Sequence, residues 1–85
     1  MGAAVENLRN YMLAATIHNR WETLTEIGAA LRKVYGLTCT RTDISEWLRQ
    51  ISNDGAHNLV IRQRGELKEY RLYVKPGKIA GTRQW

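Results

Sequence analysis

The chain has 85 residues, 44% hydrophobic and 25% charged, the proportions of one folded domain. Thirteen Lys and Arg against eight Asp and Glu give a formal charge of +5. A chain this short buries about 60–65% of the surface its unfolded form exposes, which leaves a core too thin to enclose a substrate.

The longest stretch without a formal charge, Asn10 to Asn19, is too short and too polar to span a bilayer. Cys39 stands alone, which excludes an internal disulfide and a cysteine-based zinc site. No basic-then-apolar leader opens the sequence, so the expected compartment is the reducing cytoplasm. Residues 1–57 carry six basic and six acidic side chains, whereas residues 58–85 carry seven basic ones against Glu66 and Glu69. The whole excess lies in the last third, which points to a polyanion partner or to a basic, solubilising face.

In chain order, Val5, Leu8, Met12 and Ala15 fall at spacings of three and four and predict a helix over Ala3 to His18, with Tyr11 at its edge. Asn19-Arg20 breaks that pattern, and a short extended piece is expected to carry Trp21 into the core. Thr23-Leu24-Thr25-Glu26 fits a capping box. It opens a second helix with Leu24, Ile27, Leu31 and Val34 on its core face, and Gly36 is the expected left-handed stop. A third helix follows, with Thr40 as N-cap, Asp43 three residues on, and Ile44, Trp47, Leu48 and Ile51 inward. Asn53-Asp54-Gly55 ends it.

The hydrophobic period then drops to two. Leu59 and Ile61 alternate with Val60 and Arg62, and Tyr70, Leu72 and Val74 alternate with Glu69, Arg71 and Tyr73. A two-residue turn at Arg64-Gly65 would pair Ile61 with Lys68 and Leu59 with Tyr70, setting the apolar residues on one face. Pro76-Gly77 stops the second strand. Lys78 to Trp85 has no pattern and reads as a mobile tail, which divides the chain into a domain over residues 1–75 and a flexible segment over 76–85. The fold class is therefore α+β, three helices followed by a two-stranded hairpin.

Thr23 to Leu31 followed by Arg41 to Arg49 resembles the helix-turn-helix pair of the winged-helix DNA-binding proteins, and Asn58 to Val74 resembles their wing. The resemblance spans about residues 3–75 and rests on element order and apolar spacing. The link Tyr35 to Cys39 is longer than the tight turn of the simplest members, which leaves the angle between the two helices open. The resemblance implies a third helix in the major groove and a wing on the phosphates or the minor groove. It also implies a small regulator of transcription of bacterial or phage type, with double-stranded DNA as partner and no cofactor.

The residue types agree. Thr42, Ser45, Glu46, Arg49, Gln50 and Asn53 project away from the predicted core and suit base edges, Glu46 by accepting from a cytosine amino group. Arg41, Arg62, Arg64 and Lys68 suit phosphates. The same polar face also fits plain solvation, since its own charges cancel, and winged helices serve as protein-interaction modules as well.

Trp21 and Trp47 read as core anchors, whereas Trp85 has no core role and suits docking on a partner or a second copy. Cys39, His57 and Asp43 are a conceivable catalytic trio, but a small buried thiol in the inter-helix link is the better account. Two isolated histidines are too few for a metal site. No phosphate-binding glycine loop or nucleophile motif is present, so no enzyme is expected. One recognition helix reads few base pairs, so a weak homodimer on a repeated half-site is expected. The edge of the first helix around Tyr11 and the tail Ile79 to Trp85 are its candidate surfaces.

Overall fold

The computed structural model describes residues 2–75. The expectations for the tail, including Trp85, lie outside the described residues. The elements are α1 (Ala3–Ile17), α2 (Leu24–Tyr35), α3 (Arg41–Ser52), β1 (His57–Arg64) and β2 (Leu67–Val74), an α+β layout of three helices followed by an antiparallel hairpin. Among the described residues, no helix is long and apolar enough to cross a membrane.

The predicted capping box forms at Thr23, and the expected N-cap Thr40 forms a second one with Asp43. The Thr23 hydroxyl accepts from the Glu26 N–H at 3.1 Å while the Glu26 carboxylate accepts from the Thr23 N–H at 2.8 Å. Thr40 and Asp43 repeat the exchange at 3.1 and 3.0 Å. Each box satisfies two N–H groups that would otherwise have no intrahelical partner and sets where its helix begins. Gly36, at φ 65°, ends α2 in the left-handed conformation that a side chain would disfavour.

The core joins Val5, Leu8 and Met12 of α1, Ile27 and Leu31 of α2, Ile44, Leu48 and Ile51 of α3, and Tyr70 and Leu72 of β2. Of the residues expected on the inner faces of α2 and α3, Leu24, Val34 and Trp47 stand outside it. Val34 is 62% exposed. Trp47 is half-buried at the rim of the cluster.

The hairpin turns one residue later than predicted. Arg64 pairs with Leu67, Ile61 with Tyr70 and Leu59 with Leu72. Gly65 takes φ 64° at the first of the two turn positions, where a type II′ turn favours glycine. The shift moves each partner by two residues, an even number, so the predicted apolar face survives.

A third extended piece meets the two-stranded sheet at a single bridge. Asn19 adopts φ 62° after α1, a conformation asparagine tolerates better than most residues. The chain then runs beside β2, where Glu22 and Tyr70 exchange backbone hydrogen bonds at 2.8 and 3.2 Å.

Candidate nucleic-acid interface

Strand alternation decides where each basic residue of the hairpin stands. Leu59, Ile61, Lys68, Tyr70 and Leu72 share the inner face, toward the helices, while Arg62, Arg64, Glu69 and Arg71 share the outer one. The four expected phosphate contacts are thereby divided. Lys68 borders a cleft of about 170 Å³ with Arg41 at the start of α3, and a groove of about 310 Å³ with Arg49 and Ser45 of α3. Arg62 and Arg64 lie on the far side of the sheet.

These two arginines differ in freedom. Arg62 Nε donates to Glu69 Oε1 at 2.7 Å, and its guanidinium lies 4.3 Å from the centre of the Trp21 ring. Arg64 reaches the same carboxylate only at 3.9 Å, and its side chain is 73% exposed. Arg62 is thus held flat on the sheet, whereas Arg64 extends from the turn.

Trp21 corrects the expectation of a core anchor. Because Glu22 faces inward, its neighbour must face outward, and the half-buried Trp21 ring covers Arg62 and Arg71, the latter at 4.6 Å. Arg71 also donates to Asn19 Oδ1 at 2.8 Å and to the Arg20 carbonyl at 3.2 Å. The outer face is therefore a stacked aromatic and cationic layer that ties the α1–α2 connection to the sheet.

On the inner side Glu22 is only 8% exposed. The Tyr11 hydroxyl donates to its Oε1 at 2.6 Å, and Arg20 Nε pairs with its Oε2 at 3.2 Å. Burial, then the bond to the Glu22 carboxylate, pushes the Tyr11 pKa up to about 12. Tyr11, expected at a dimer edge, is committed to this internal contact.

On α3, Thr42, Glu46, Arg49, Gln50 and Asn53 are exposed and Ser45 is half-buried beside the hairpin, so all six expected base readers lie on its surface. Arg41 is exposed in the first turn. Glu46 and Arg49 sit 3.9 Å apart and cancel each other's charge, with both side chains mostly in solvent. Asp43 is engaged in the cap.

The connection from α3 to β1 is fixed by Asp54, which sequence reasoning passed over. Its carboxylate accepts the Ala56 and His57 N–H groups at 2.7 and 3.1 Å and meets His57 Nδ1 at 2.8 Å. Burial works to raise the Asp54 pKa, but the bonds from Ala56 and His57 outweigh it and hold the carboxyl below the usual range. The pattern Asp-x-Ala-His, an aspartate two and three residues before unpaired N–H groups, is the signal that was available.

Cys39 is half-buried in a cleft of about 340 Å³ between α2 and the link to α3. Burial, with the Asp43 charge adding, raises its pKa and keeps it a thiol. The conceivable trio is not assembled: His57 Nδ1 is held by Asp54 and the Asp43 carboxylate by the Thr40 N–H. Among the described residues, no three His, Cys, Asp or Glu side chains gather as a metal-ligand set.

Compared with family models, with characterised proteins and with solved structures, the chain has no significant match.

Proposed function

We propose that the protein is a small winged helix-turn-helix that binds double-stranded DNA in a sequence-specific way and regulates transcription in the cytoplasm of a bacterial or phage system. The carrying observation is the exposed polar face of α3 set beside a hairpin with five basic and two acidic side chains between His57 and Lys75. In this reading α3 enters the major groove, with Arg49, Gln50 and Asn53 as its donors and acceptors toward base edges. Arg41 and Lys68 stand on the α3 side, and Arg64 at the hairpin turn reaches the phosphates. A single α3 reads few base pairs, so two copies act on a repeated half-site.

Titrating the protein against genomic fragments at two salt concentrations, by gel shift, tests this. With Arg41, Arg64 and Lys68 on phosphates and Arg62 contributing part of its charge, the log–log salt slope is about −3 to −3.5 for each bound copy. Binding that is absent at low salt, with the protein folded, refutes the proposal.

A second reading, a protein-interaction module, has its own support. The Glu46–Arg49 pair leaves α3 neutral, and Ile61, Leu67 and Val74 expose apolar side chains on the hairpin.

A further inference from the structure

The pairing register leaves one edge of the sheet open. Tyr70 exchanges both of its backbone bonds with Glu22, so its N–H and C=O point away from β1. In an antiparallel ladder such a residue sits in a pair that shares no hydrogen bond. Ile61, its partner, must then turn its own N–H and C=O away from β2. Alternation gives Leu59 and Gln63 the same orientation. The N–H and C=O groups of these three residues thus line the outer edge of β1 with no hydrogen-bond partner among the described residues, while the next N–H turned the same way, that of His57, is capped by Asp54 at 3.1 Å. The other edge of the sheet is occupied in its middle, by Glu22 on Tyr70 and by the Thr16 hydroxyl, which accepts the Leu72 N–H at 3.2 Å.

We propose that the open edge of β1 docks an extended acidic segment of another protein, in which Glu or Asp alternates with aliphatic residues. Main-chain bonds to Leu59, Ile61 and Gln63 supply the affinity of such a strand addition, and side chains on its two faces supply the selectivity. On the inner face Ile61, 52% exposed, and Leu59 form an apolar floor that α3 leaves partly uncovered. Aliphatic side chains of the added strand rest there. On the outer face Arg62 and Arg64 share the single carboxylate of Glu69, leaving one cation in surplus for the added strand's carboxylates. Lys68 at the groove extends the same preference.

Charge also selects against a second copy as the occupant. Two β1 edges side by side would bring two sets of Arg62 and Arg64 together on chains of +5 each, and edge cations are a device by which sheets avoid self-pairing.

The test is an NMR titration of the ¹⁵N-labelled full chain, without DNA, using an acetylated and amidated heptapeptide of alternating Glu and Val. A Lys-Val peptide of the same pattern is the control. The expected result is that the Leu59, Ile61 and Gln63 amides shift and gain exchange protection, while those of Val60 and Arg62, already bonded to β2, change little. Ile61→Pro removes the central edge donor without touching a β1–β2 bond, and is expected to weaken binding about tenfold, the worth of one or two hydrogen bonds.

If Ile61→Pro does not fold, Arg64→Glu serves instead and is expected to weaken the Glu-Val peptide while strengthening the Lys-Val one. Equal binding of both peptides by the unaltered chain, no response at millimolar peptide, or shifts confined to residues away from β1 overturns the proposal. So does protection of the edge amides by self-association as protein concentration rises. Because no DNA is present, failure here is distinct from failure of the DNA-binding reading.

Discussion

Replacing Arg62 or Arg64 by alanine removes one positive charge from the same hairpin, and charge alone predicts equal effects. The structure predicts that they separate. Arg62 is fixed by a 2.7 Å bond to Glu69 and by its stack on Trp21. An exposed cation–π contact and a surface ion pair contribute together about 1–2 kcal/mol. For a domain of this size that lowers Tm by about 4–16 °C. Arg62→Ala therefore lowers stability, and because Glu69 is then left to Arg64 alone it also reduces the charge the hairpin offers to DNA. Arg64→Ala leaves Tm unchanged within error, since its side chain is mostly in solvent and its carboxylate partner is 3.9 Å away. It instead flattens the log–log salt dependence of DNA binding by about 0.9 for each bound copy, one phosphate contact. Thermal unfolding followed by circular dichroism, with salt-dependent DNA titration of each variant, gives both quantities. Equal Tm values, or a flattened slope for Arg62→Ala alone, would refute the assignment of the two roles.

Three further outcomes follow from the same geometry. Tyr11→Phe strips a donor from the buried Glu22 carboxylate and should destabilise the protein by about 1.5–3 kcal/mol in urea unfolding. Tyr11 is held protonated by the fold, so its contribution is complete below pH 10 and lost as pH rises toward about 12, an alkaline limb the Phe variant should lack. Asp54, held ionised, contributes above the ordinary aspartate pKa and loses that contribution as pH falls through its lower folded value. Asp54→Ala should accordingly reduce the acid sensitivity of unfolding, and hydrogen exchange at Ala56 and His57 should quicken; unchanged exchange there counts against a cap at this connection. Arg49→Ala should cost about 1–3 kcal/mol of preference for the cognate site over random DNA, and a competition gel shift that finds the preference intact removes Arg49 from base reading.

The three helices were legible because each signal is local. Thr23 with Glu26 and Thr40 with Asp43 are separated by one turn, and the helix that holds them apart is the helix they start. Gly36 needs no distant residue to explain its left-handed turn. The hairpin was legible as a hairpin because alternation fixes the face of each residue. Its turn was misplaced because Arg64-Gly65 and Gly65-Glu66 both offer the glycine, and only the φ of Gly65 at the first turn position separates them.

What escaped the sequence is long-range, and it governs the candidate site. Nothing local in Arg20-Trp21-Glu22 says that the segment will lie along β2, some fifty residues away, and an aromatic residue beside an acidic one reads most simply as aromatic in and acid out. The backbone exchange between Glu22 and Tyr70 reverses that choice. With Glu22 inward, Tyr11 and Arg20 satisfy its carboxylate, and Trp21 is left on the outer face, where two arginines stack on it. Arg62 is thereby drawn from a surface charge into the fabric of the sheet, and Arg64 becomes the hairpin's exposed outer-face cation near the turn. The same exchange orients Tyr70, hence Ile61, hence the open edge of β1. One inward-facing glutamate therefore links the stability of the hairpin, the division of its charge and the edge it presents.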